Sequence, residues 1–207
     1  MLKNVNLIIF IFISLFTTKA FALMELNTEF GYTRQVYGEQ RENKLTERTY
    51  AGSVATRLFG WTSLELNFTY GEQITQQADN ANVTGTDINL VSYQNTVENT
   101  VYGIGLKQAL SDRNSRIRPS ISLGYARQFI YDRTDYTYRD TSNGNTILLF
   151  GTPEKRRIDS VFGTFSLQIG LTQRIGLSGS VRTVFPAFET DKMKDYVRYT
   201  VGIIIYI

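Results

Sequence analysis

Three carboxylates, Asp132, Asp135 and Asp140, fall close together in the chain and are interleaved with Arg133 and Arg139. Neighbouring carboxylates can divide acid and base roles when their surroundings push their proton affinities apart. The interleaved arginines point instead to a solvated, ion-paired surface. The sequence contains no histidine and no cysteine. The side chain best suited to proton transfer near neutral pH is therefore missing, as are thiol catalysis, disulfides, a cysteine-linked lipid anchor and cysteine metal sites. Two other motif fragments fail on spacing. Gly103-Ile104-Gly105 lacks the third glycine and helix of a dinucleotide site. Asp79 to Asp87 lacks the ligand order of a calcium loop, with Ala81 at the third position. No catalytic residue, metal or cofactor is expected.

A second group of charges is spread along the chain rather than clustered. Glu25, Glu29, Arg57, Glu65, Lys107, Arg182 and Arg198 each share sequence parity with small polar neighbours such as Ser53, Asn67, Thr69, Ser180 and Thr200. Strands place alternate residues on opposite faces, so these charges belong to one polar face. If that face is enclosed, they must pair, because desolvating a lone ion costs several kcal/mol. Internal Glu–Arg and Glu–Lys bridges are expected. They would either plug the interior or form a gate that opens by exchanging partners.

The elements that carry these charges alternate strictly. In Leu64-Glu65-Leu66-Asn67-Phe68-Thr69-Tyr70-Gly71 the even positions are apolar and the odd ones polar or small, the mark of a strand with two unlike faces. The same period appears in Leu26-Thr28-Phe30-Tyr32, Tyr102-Ile104-Leu106, Ile121-Leu123-Tyr125, Val161 to Leu171, Ile175 to Phe185, and Tyr199-Val201-Ile203-Ile205-Ile207. A less regular stretch from Glu47 to Phe59 brings the count to eight. Links after the second, fourth and sixth strands are tight, around Gly60-Trp61-Thr62, Ser111 to Asn114, and Thr172-Gln173-Arg174. Links after the first, third and fifth are long, at Gly38 to Thr46, Gln73 to Thr96 and Asp132 to Arg157; the seventh, Pro186 to Asp191, is intermediate.

The first 22 residues read differently. A positive start at Lys3 precedes an apolar run from Val5 to Phe16, and Ala20-Phe21-Ala22 follows as a small-x-small site. This is the order of a cleaved secretory signal peptide, and the run is shorter than the ~20 residues of a spanning helix. Residues 1–22 are thus read as the signal and 23–207 as one domain. The formal charge of +3 includes Lys3 and Lys19 and falls to about +1 without them, which gives no basis for nucleic-acid binding. Hydrophobic residues at 42% and charged residues at 20% look soluble in bulk, but a membrane strand is apolar only at every second position. Bulky residues on one face and small polar ones on the other, with export and alternating link lengths, favour a transmembrane barrel with a polar lumen over a soluble barrel of opposite polarity. Trp61, Phe129, Tyr131, Phe185 and Tyr196 are expected in the interface belts.

On this pattern, over Glu25 to Ile207, the chain resembles the small bacterial outer-membrane β-barrels, the OmpA-, OmpX- and OmpW-like proteins. The resemblance implies a single eight-stranded antiparallel transmembrane barrel with short periplasmic turns and longer extracellular loops, exported to the outer membrane. It also implies outer-membrane lipid and the barrel-insertion machinery as partners. The insertion signal is expected on the last strand, at Tyr199, Val201, Ile203, Ile205 and Ile207. Such signals end on an aromatic residue, whereas here Tyr206 is next to last and Ile207 last. Enzymes of outer-membrane barrels are lipid A acyltransferases and deacylases, a phospholipase and omptin-type proteases. They resemble one another in using a histidine, which is absent here. A non-enzymatic structural or surface-interaction role is expected, with a narrow pore for ions or small solutes as the alternative and a lipid-modifying enzyme as the lesser one. In the fifth link, Asn143-Gly144 signals a two-residue hairpin turn at the tip of an outward ribbon. Tyr136, Tyr138, Leu148, Leu149 and Phe150 beside it either form a patch for an extracellular ligand or surface partner, or pack on the neighbouring loop from Ile88 to Tyr93.

Overall fold

Alternation of apolar and small polar residues builds strands that are bulky on one face and slight on the other, and such strands can close on a narrow polar interior. The computed structural model describes residues 24–38, 41–112, 114–187 and 196–207. Residues 1–22, read as the signal, lie outside the described residues, as does most of the link after Pro186. The strands are β1 (Met24–Tyr37), β2 (Asn43–Phe59), β3 (Thr62–Asn82), β4 (Ile88–Ala109), β5 (Ile117–Asp140), β6 (Thr146–Phe150), β7 (Glu154–Gly170), β8 (Ile175–Pro186) and β9 (Val197–Tyr206). All pairings are antiparallel. Eight strands close a ring, in which β5 pairs with β4 on one side and β7 on the other, and β9 returns to β1. The short β6 lies outside the ring and, among the described residues, pairs only with the outer part of β5.

The ring is staggered. Paired residues lead from Met24 through Thr56, Leu64, Leu106, Leu123, Gly163 and Thr183 to Val197. Extending the β9–β1 register brings the path back to β1 at Arg34, ten residues from its start. A shear of ten over eight strands tilts them by about 40° for normal strand rise and spacing. At that tilt β9 rises about 25 Å, the height of a barrel's apolar band, whereas β5 rises about 60 Å.

Polarity is inside out. Asn67, Thr69, Ser120, Ser122, Ser160, Thr164, Ser166, Ser178, Ser180 and Thr200 are buried in the interior, and Leu66, Phe68, Ile104, Leu123, Phe165, Val201 and Ile203 are exposed on the outside. Strand alternation accounts for both sets at once. The interior has one apolar sector, formed by Val101, Ala126, Phe162 and Val184. Phe162 fits because Gly105 and Gly124 lie beneath its ring: a Cβ on Gly105 would stand 2.7 Å from the Phe162 ring.

The ends of the barrel differ. At one end Gly60, with φ of 51°, turns the chain between Phe59 and Thr62. At the other, the expected long loops are largely strand. β3 continues to Asn82 and β4 begins at Ile88, so Ile88 to Tyr93 is a strand, not a loop. From Gln73 to Asn82, Gln, Asn and Thr fall on both faces, and from Ile88 to Tyr93 a register shift between Leu90 and Ser92 breaks the alternation, while side chains tie the ladder. Gln76 donates to Gln94 at 2.9 Å, Gln77 to the Tyr37 hydroxyl at 2.8 Å, and Asn95 to Asp132 and Thr134 at 2.7 and 3.0 Å. The Tyr93 hydroxyl also donates to Gln77.

Candidate functional site

Two regions gather the residues singled out from sequence: the interior of the ring and the ribbon above it. In the interior, Glu29 on β1 is held by hydrogen bonds. One carboxylate oxygen accepts from Asn27 at 2.7 Å; the other accepts from Ser180 at 2.6 Å and Thr200 at 2.7 Å. These donors come from β1, β8 and β9, which adjoin across the seam. Arg182 on β8 crosses the interior to donate to Thr164 at 3.1 Å and to Thr69.

The expected bridges form only in part. Lys107 contacts Glu25 at 2.5 Å. Arg198 pairs at 2.6 Å with Glu47, a residue not singled out from sequence although its parity matches Ala51 and Ser53. Among the described residues Arg57 and Arg182 form no ion pair. Glu65 is buried, with Oε2 lacking a hydrogen-bond partner. The physical reason is stagger: parity fixes the face of a residue, but its height depends on the shear. A cavity of about 20 Å³ bordered by Thr49, Thr69, Asn99, Arg182 and Arg198 has room for about one water.

Above the ring the three loop carboxylates do not meet as a catalytic group. Asp132 accepts from Asn95 and pairs with Arg156 at 3.3 Å. Asp135 pairs with Arg133 at 3.1 Å, and its sequence parity places it on the opposite face from Asp132. Asp140 caps the tip, accepting from the Ser142 hydroxyl and backbone N–H and from Asn143 at 2.6, 2.9 and 2.8 Å. The Ser142 hydroxyl, followed by its N–H, holds the Asp140 carboxyl below its ordinary range. The tip is not the expected two-residue turn. Asp140 and Asn145 close a four-residue loop, with only Gly144 at positive φ, 75°; a type I′ turn needs both central residues there.

The proposed apolar patch divides between two faces. Leu149 pairs with Tyr136 and Ile147 with Tyr138, whereas Leu148 pairs with Thr137 and Phe150 with Asp135. Cross-strand partners share a face, so Leu149 joins the tyrosines and Leu148 and Phe150 point the other way. Tyr136 also meets Tyr93 of β4 at 6.4 Å between ring centroids. Even so, Leu148 is 62% and Phe150 69% exposed. On the last strand Tyr199, Val201, Ile203 and Ile205 face outward and are exposed, as is Ile207 just beyond it.

Trp61, Phe129 and Tyr196 are exposed and Tyr131 is half-buried, but Phe185 is buried. Val184 beside it is buried too, so alternation lapses at Pro186, where the proline has no N–H for the ladder. Interior positions of Phe162 and Tyr206 follow from the parity of Ser160 and Thr200, a signal masked by their apolar character. On the outer wall, Tyr125 and Arg127 converge on Asp159 at 2.6 and 3.1 Å.

No protein-family model matches the sequence, and no curated protein matches it either. Solved structures similar to it include three small barrels. The N-terminal β-barrel domain of OprF from Pseudomonas aeruginosa is 14% identical, with 90% of this chain and 98% of that one covered and a TM-score of 0.49. Ail, the attachment invasion locus protein of Yersinia pestis, solved with the heparin analogue sucrose octasulfate, is 11% identical, with coverage of 89% and 99% and a TM-score of 0.43. Neisserial surface protein A is 10% identical, with coverage of 88% and 94% and a TM-score of 0.34.

Proposed function

We propose that this chain is exported to the bacterial outer membrane, where it serves as a non-enzymatic barrel that meets other surfaces through its projecting ribbon. The observation that carries this reading is β6. All five of its residues are exposed, four of them large and apolar, and among the described residues β5 is its only strand partner. Exposed apolar strand edges invite pairing or docking, and tall β4 and β5 hold this one clear of the ring. In this reading the ribbon end faces the exterior, the tight turns face the periplasm, and the last strand presents the signal read by the insertion machinery. A plugged interior is supported by the Glu29 hydrogen bonds, the Lys107–Glu25 and Arg198–Glu47 pairs and the apolar sector around Phe162.

The test is attachment of displaying cells to polystyrene, with Leu148→Asp and Phe150→Asp combined. Attachment should fall severalfold while heat-dependent gel mobility still reports a folded barrel. Unchanged attachment by the folded variant refutes the ribbon's role. A narrow ion path is the second reading, favoured by the unpartnered Glu65 oxygen and the small cavity at Arg182. Unitary current steps from the refolded chain in a planar bilayer would replace the plug with that path.

A further inference from the structure

At the end opposite the ribbon, the turns after β4 and β7 border an open pit of about 530 Å³ lined by Asn114, Ser115, Arg116, Arg118, Thr172 and Gln173, with Gly170 and Leu171 completing its wall. Among the described residues, no carboxylate lines it. Arg118, on β5, is set in place from two sides. Its guanidinium lies 4.1 Å above the Tyr206 ring, whose hydroxyl is anchored on Gln168 at 3.0 Å. Gly170 leaves the room, since a Cβ there would come within 3.1 Å of Arg118 Nη2. Arg118 Nε is nevertheless buried without a hydrogen-bond partner, a state that native proteins avoid. Nearby Glu25 is already engaged by Lys107. Among the described residues, neither Arg116 nor Arg118 forms an ion pair.

We propose that this pit is an oxyanion site that takes a phosphate group. A guanidinium is a planar fork of donors suited to phosphate oxygens, and stacking on Tyr206 fixes its plane before a ligand arrives. Arg116, exposed at the rim, supplies the second positive charge, and Ser115, Thr172, Asn114 and Gln173 supply neutral donors. Exposed Leu110, Ile117 and Leu171 adjoin the same turns. The phosphate can therefore come from solution or, if the barrel spans a membrane as proposed above, from a phospholipid headgroup at the rim.

The test uses the refolded full chain in dodecylmaltoside micelles, with folding checked by gel mobility. Sodium phosphate is titrated against sodium chloride of equal ionic strength while the Arg118 Nε–H resonance is followed. Phosphate should shift it saturably and chloride should not. Arg116→Gln should weaken the apparent affinity by about tenfold, whereas Arg48→Gln, at the other end, should leave it unchanged. In a second arm, native mass spectrometry compares retention of phosphatidylglycerol with that of diacylglycerol, which lacks the phosphate. A phosphate shift with selective retention of phosphatidylglycerol assigns the site to the headgroup; the shift alone assigns it to dissolved phosphate. Equal shifts with phosphate and chloride, or an Arg116→Gln titration identical to the parent's, overturn the proposal. Because the first arm needs no bilayer, its failure is distinct from failure of the outer-membrane reading.

Discussion

The two walls of the barrel solve different problems with the same ladder. β8 and β9 have 12 and 10 residues, enough for the apolar band and little more. Their inner faces carry Ser180, Arg182 and Thr200, whose hydrogen bonds converge on Glu29, Thr164 and Thr69. β3, β4 and β5, at 21, 22 and 24 residues, continue far above the ring with amides and hydroxyls on both faces. The short wall gains from contrast between its faces, because one lines an enclosed polar interior and the other carries large exposed apolar side chains. The tall extension has no such contrast and relies on backbone pairing and side-chain amide bridges. Stability should therefore concentrate in the short wall and its seam, and adaptability in the ribbon.

The strongest challenge to this contrast is Gly202→Ala on β9. Its Cβ would stand 1.9 Å from the Thr28 carbonyl oxygen, whereas a Cβ on Gly179 of β8 meets nothing within 4 Å. The Gly202 variant should fail to form a closed barrel and lose the heat-dependent gel shift; Gly179→Ala should keep it. If both fold equally, close packing at the seam is not what holds the short wall.

A smaller effect separates buried from ribbon polar groups. Arg182→Met removes a buried guanidinium that donates to Thr164 and Thr69 and should lower unfolding stability by about 3 kcal/mol. Asn95→Ala on the ribbon should lower it by about 1 kcal/mol or less. Urea unfolding in liposomes measures both, and equal losses would erase the distinction between the walls.

The smallest effect concerns pH at the tip. The Ser142 hydroxyl and N–H depress the proton affinity of Asp140, so capping is complete above the unfolded carboxyl's pKa of about 3.9 and is lost as pH falls through the lower folded value. Exchange of the Ser142 amide should quicken on acidification through that window while β9 amides stay protected. Simultaneous loss of protection at both places would mean that the ribbon and ring open as one unit.

The same contrast explains what the sequence revealed. Leu64 to Tyr70 and Tyr199 to Ile207 were legible because apolar residues recur at every second position. Gln73 to Asn82 was not, since amides on both faces conceal the strand period, and Ile88 to Thr96 was not, since a register shift after Leu90 moves Val91 and Tyr93 out of phase with Ile88 and Leu90. Parity placed Glu29, Lys107 and Arg182 on the inner face. It could not pair Arg198 with Glu47, or leave Glu65 Oε2 unpartnered, because those outcomes depend on stagger accumulated around the ring. Phe162 was hidden for another reason: parity put it inside, but the room for its ring comes from Gly105 and Gly124, far away in sequence.

The β1–β9 seam also bears on the order of assembly. It joins Glu25 through Phe30 to Tyr206 through Val201 in six pairs, bringing the first and last described strands together. β4 and β5, by contrast, can zip outward from a short turn between Ala109 and Ile117. Contacts between distant segments form slowly because chain entropy is lost before they repay it. Seam closure is therefore the step expected to limit the folding rate, after the hairpins have formed, and until then β1 and β9 are two open edges of a curved sheet.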